Sequence, residues 1–233
     1  MDKLHYTDLL KAHKFFCDME KRYRFYDAYM AAKDSAAWFM SPQVPLKEGL
    51  LLFGWVHTWD PNFKGDLARI LEIYSNIFPN MKNLENESLI DIDFSSGNAK
   101  HICLVFDSIA NCCKSKRYES TDASKMLHVI IPKLFVMWDD NIRANLVGGR
   151  RDGKCYAEEF MPRMQELARQ LLEGYIQENG GDYDSASDKI SQLANNHTLA
   201  KLIDEFNYLR FTWKKTLSEI RSISLSVLGG NNT

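Results

Sequence analysis

The chain has 233 residues, enough to enclose a sizeable core, and its 45% hydrophobic and 26% charged residues are ordinary globular usage. A net charge of −2 excludes a uniformly basic wrapper of nucleic acid, and no apolar run is long enough to predict a membrane span. Five cysteines in no regular framework predict reduced thiols; with the polar opening MDKLHYTDLLKAHKFF, they point to a cytoplasmic protein.

The apolar spacing predicts helices along almost the whole length. Leu9, His13, Phe16, Met19, Tyr23, Tyr26 and Met30 recur at three- and four-residue steps, which predicts one long amphipathic helix over residues 7–33. Asp34 and Ser35 are placed to cap a short helix over 36–39, and Pro45 suits the first turn of a helix over 46–57. Trp55, His57 and Trp59 fall close together there, as core packing or as a wall for stacking a base. A helix over 62–78 should stop at Pro79. Residues 80–97 are rich in turn formers and form the expected lobe boundary or loop, with one short strand over 89–94. Asp91 and Asp93 lack the glycine and distal glutamate of a calcium loop.

A buried helix is expected over 98–113, followed by the basic residues Lys114, Lys116 and Arg117. Residues 148–154 read as a flexible basic loop carrying Arg150 and Arg151, without the order of a phosphate-binding P-loop. Helices follow over 156–177, to Leu193 from a cap at Asp184 or Ser185, and over 198–222; the last residues should be disordered. Cys112 and Cys113 with Cys103 and His101 have no zinc spacing, and neither a metal nor a cofactor is expected.

The most informative stretch is TDASKMLHVIIPKLFVMWDDNIRANLV, residues 121–147. Thr121 is expected to cap a helix that Pro132 stops; an apolar run through Trp138 then delivers Asp139 and Asp140 to the start of a second helix bearing Arg143. A carboxylate at a helix N-terminus is a negative charge held in place, and it is also what a plain cap looks like. Between Lys114 and Lys154 nine Lys and Arg face five Asp and Glu, leaving the rest of the chain at −6. Such a local basic face suits one strand of nucleic acid, or is simply a solvated surface.

This stretch resembles the core of the helix-hairpin-helix DNA glycosylases, in which a hairpin helix leads through an apolar segment to a catalytic aspartate. The resemblance spans about thirty residues, of which 115–120 lack the family's glycines and Val136 stands where the family has proline. It implies an all-α, two-lobed helical bundle, a single domain over 1–233 with the active site between its lobes. Asp139 would be the catalytic group, with Asp140 and Lys125 in secondary positions. Trp138, Trp55, Trp59 and His57 would line the base pocket. Lys114, Lys116, Arg117, Thr121, Arg143, Arg150 and Arg151 would hold DNA. The family lysine that adds strand cleavage falls at Thr121, which implies a monofunctional, monomeric DNA glycosylase hydrolysing the bond to a flipped base. Its unusual flanks suggest a modified base, such as a phage-modified cytosine, and a role in antiviral defence. Two other readings stay open: a non-enzymatic helical interaction protein in which Asp139 and Asp140 are caps, and a nuclease needing a metal.

Overall fold

A computed structural model describes residues 4–225, and among these residues the secondary structure is wholly helical. The helices are α1 (Tyr6–Met19), α2 (Tyr23–Ala32), α3 (Ala37–Met40), α4 (Leu46–Trp59), α5 (Leu67–Leu84), α6 (Ala99–Ala110), α7 (Ser120–Ile130), α8 (Asp140–Val147), α9 (Gly153–Cys155), α10 (Met161–Asn179), α11 (Tyr183–Leu193), α12 (Leu199–Asn207) and α13 (Leu217–Arg221). No helix among the described residues is long and apolar enough to cross a membrane. All five cysteines are free thiols. The expected disordered tail lies outside the described residues.

Local chemistry explains where the boundaries depart from the periodicity. The long helix over 7–33 is two helices, because the chain turns at Glu20, whose carboxylate accepts from the Arg22 amide at 3.0 Å and pairs with its guanidinium. Pro45 is the residue before α4, not its first turn. Pro79 lies inside α5 instead of ending it. Met81 and Leu84, both fully buried, hold the last turn on the core against the missing amide. No strand forms at 89–94: Gln165 and Arg169 side chains occupy the Ile90 and Ile92 carbonyls, which have no neighbouring strand. Asp182, with Ser185, makes the capping box of α11. The helix expected over 198–222 ends as α12, passes through a wide π-type turn at Tyr208–Thr212, and resumes only as α13.

The core is one connected cluster of apolar side chains. At its centre α6 packs between α5 and α7, while α1 lies against α12. The segment after α7 is extended yet pairs with no strand. Its carbonyls are taken by side chains instead: His128 Nδ1 donates to Phe135 O at 2.6 Å, and the Tyr156 hydroxyl donates to Val136 O at 2.7 Å. Leu134, Phe135, Val136 and Trp138 are essentially fully buried. Rigid backbone therefore leads straight to Asp139.

Gly153 starts α9 hard against α6, so that a β-carbon there would lie 2.5 Å from the Cys103 carbonyl oxygen. Gly54, inside α4, has open space around it. In urea unfolding, Gly153→Ala should lower stability by about 1–3 kcal/mol through overpacking. Gly54→Ala should raise it by about 0.5–1 kcal/mol through helix propensity.

Candidate active site

The N-termini of α7 and α8 open onto one cleft of about 360 Å3. Asp122 and Asp139 line it from the two helices, with Arg143 one turn into α8, and Tyr118 and Arg151 from the neighbouring loops. Three serine and tryptophan contacts bind the two helix starts together. The Trp138 amide donates to Ser124 Oγ at 3.2 Å, and the Trp138 indole Nε1 donates to the Ser120 carbonyl at 3.2 Å. The Arg143 guanidinium donates to Ser120 Oγ.

Asp139 is the N-cap of α8. Its Oδ1 accepts from the Ile142 amide at 2.8 Å, and its Oδ2 accepts from the Thr212 hydroxyl. Both oxygens are thus fixed, one by a helix amide and one by the wide turn after α12, while the residue remains half-buried on the cleft. Asp140 beside it is exposed and pairs with Arg143.

Asp122 is a second cleft carboxyl that its place in the sequence did not single out. It is buried, and burial pushes its pKa up to about 6 despite the Lys125 ammonium at 3.0 Å. Its position, two residues into α7, is recognisable only once α7 and α8 are seen to converge. Lys125 is held by Asp122 and is not part of the cleft wall, which argues against it as a free nucleophile.

The expected aromatic wall lies elsewhere. Trp138 is 1% exposed, packed against Phe106, Tyr156 and Phe160 beneath the cleft. Trp55 lies against Tyr26 and Tyr29, and Trp59 is parallel to Phe16 under the Arg22 guanidinium. His57 sits between Phe53 and Phe63. None of the four lines the cleft, because each belongs to the apolar face of its own segment. The aromatic ring in the cleft is Tyr118, with the Arg151 guanidinium 5.7 Å above it.

Of the expected DNA contacts, Arg117, Thr121, Arg143 and Arg151 line the cleft, and Lys114, Lys116 and Arg150 lie outside it. Thr121 does not cap α7; the residue before the helix is Glu119, and the Thr121 hydroxyl accepts from Arg143 at 3.4 Å. Several of the cations already have carboxylate partners: Lys114 with Asp66, Arg117 with Glu119 and Arg150 with Glu159. Arg143 is buried, and its Nε lacks a hydrogen-bond partner. With Asp60, Glu119, Asp122, Asp139 and Asp140 against three arginines, the cleft itself is more acidic than basic.

No family model, no curated protein and no solved structure matches this chain.

The cap and the charge of Asp139 are separable. Asp139→Asn keeps a good capping side chain and should leave stability within a few tenths of a kcal/mol, whereas Asp139→Ala should lower it by about 0.5–2 kcal/mol. Thermal unfolding of both variants checks this, and a larger loss in the Asn variant would mean that the negative charge itself holds the fold.

Proposed function

We propose that the chain hydrolyses an N-glycosidic bond, as a monofunctional DNA glycosylase acting on a flipped and modified base. The observation that carries this reading is the pair of unlike carboxyl groups in one cleft. Asp139 is held by an amide and a hydroxyl, while Asp122 is buried and titrates near 6. Breaking a base–sugar bond can use both kinds of group. As the bond lengthens, its electron pair leaves with the base and positive charge grows on the sugar. The ionised Asp139 stabilises that charge. The protonated Asp122 gives its proton to the departing base, and then takes one from the water that adds to the sugar.

The cleft volume of about 360 Å3 lies within the range of small-ligand pockets. The ring of Tyr118 under Arg151 is a stacking surface for a flipped base. DNA phosphates would be met at the rim. There the half-exposed Arg117 and Arg150 would exchange Glu119 and Glu159 for phosphate, and Lys116, which has no ion pair among the described residues, is open.

A second reading, a non-enzymatic interaction protein, draws on a different surface. Met40 is 80% exposed, and Leu46 and Leu50, one turn apart on α4, are also exposed. In that case Asp139 is only a cap.

The deciding experiment counts abasic sites after incubation with unmodified DNA and with DNA carrying glucosylated hydroxymethylcytosine. The native chain should generate them, and the folded Asp139→Asn variant should be slower by about 10²–10³-fold. Abasic sites from neither DNA would sink the enzymatic reading and leave the interaction protein.

The pH profile gives a second check. Asp122 must be protonated to act as the acid, so base release should fall as pH rises through about 6. The Asp122→Asn variant should be slow and flat across that range. Burial raises this carboxyl above its unfolded value, so its protonated form stabilises the fold fully below about 4, and that stability is lost as pH rises through 6.

A further inference from the structure

Away from this cleft, three ligand-type side chains meet inside the bundle. His13 comes from α1, Glu205 from α12, and His197 from the turn before α12; one donor atom of each lies within 4.8 Å of the others. All three are buried. His13 Nδ1 lies 2.7 Å from Glu205 Oε2, and His197 Nε2 lies 2.9 Å from Asp27 Oδ1. An ionised carboxylate only accepts, so Nε2 of His197 donates to Asp27, and Nδ1 is the ring atom turned towards Glu205. That Nδ1 sits 3.8 Å from Glu205 Oε1, and neither atom has a hydrogen-bond partner. Two buried polar atoms without a hydrogen-bond partner are costly, and a metal ion between them would satisfy both.

Lys201 reaches only the Glu205 side of this gap, as an ion pair. Its ammonium is 3.4 Å from Glu205 Oε1, but its hydrogen bond is to Asp204 at 2.9 Å. It rests over the rings of Phe16 and Tyr26.

We propose that His13, His197 and Glu205 form a binding site for a divalent transition metal, with zinc the ion that best suits the set. Two histidines and one carboxylate, with one coordination position left over, are a known zinc arrangement. Asp27 is the outer carboxylate that fixes the His197 tautomer, as such partners do for metal-bound histidine. Ligation through His13 Nδ1 moves its hydrogen to Nε2. A cavity of about 300 Å3, lined by Tyr26, Asp27, Asn195 and His197, reaches the His197 side of the set. Asn195 and Asn196 both adopt left-handed backbone, a conformation that asparagine tolerates, and this turn presents His197. The site shares no residue with the cleft, so it stands or falls apart from the glycosylase reading.

The test uses the full chain, stripped with a chelator and titrated with Co2+ followed by visible absorption. One Co2+ per chain should bind with the strong bands of low-coordinate cobalt, and Zn2+ should displace it. His197→Gln should abolish the bands. Asp27→Asn, a change at a half-exposed residue, should weaken binding by about tenfold or more. Loss in either folded variant supports the site, and Asp27→Asn decides alone where His197→Gln does not fold. No stoichiometric band in the native chain, or binding unchanged in both folded variants, overturns it.

Discussion

The indole of Trp138 is the fixed point of this molecule. It is almost wholly buried, it contacts rings from α6 and from the start of the helical stretch leading into α10, and its N–H and the backbone amide of Trp138 are both tied to α7. Burying so large a side chain is strongly favourable, and leaving either N–H unpaired inside would be costly. Ser120 and Ser124 answer that demand. Since Asp139 is the next residue, the requirements of one core side chain set the position of the cleft carboxylate. Core packing and site geometry are here the same constraint.

Much of the architecture was legible in the sequence because it rests on periodicity. The helical class and the positions of α4, α6, α7 and α10 follow from apolar spacing. The errors fall where a local polar contact overrode the pattern. Glu20 turns the chain on itself and divides the first helix. Pro79 looks like a stop, but Met81 and Leu84 beyond it have a core to reach. Alternation at 89–94 suggests a strand, yet a strand needs a partner edge, and long side chains from α10 supply the hydrogen bonds instead.

The site was legible only in part, for a related reason. Asp139 announces itself by following an apolar run at a helix start. Asp122 has no such flag: it is one acidic residue in a first turn, and only the meeting of α7 with α8 turns it into a cleft group. Trp55 and Trp59 offered two readings, and core packing is the one that holds. Trp55 and Trp59 sit one turn apart on α4, and large rings at that spacing are drawn inward by the area they bury. The ring that does face the cleft, Tyr118, lies in an irregular loop where periodicity says nothing.

The two polar clusters of the molecule are joined by one element. α12 carries Lys201, Asp204 and Glu205, and the wide turn that ends it carries Thr212 to Asp139. Asp204 is buried enough that its pKa is pushed up to about 6, and the charge of Asp139 adds to that rise. Helix α12 is thus held at one end by buried charges and at the other by the hydroxyl bond to the cleft carboxylate. A helix packed against α1 along its length moves as a unit, not residue by residue. The hydroxyl on Asp139 Oδ2 therefore stands on the turn that continues the helix carrying Glu205, so one of the two hydrogen bonds that fix the cleft carboxylate comes from the same stretch of chain as the buried charges.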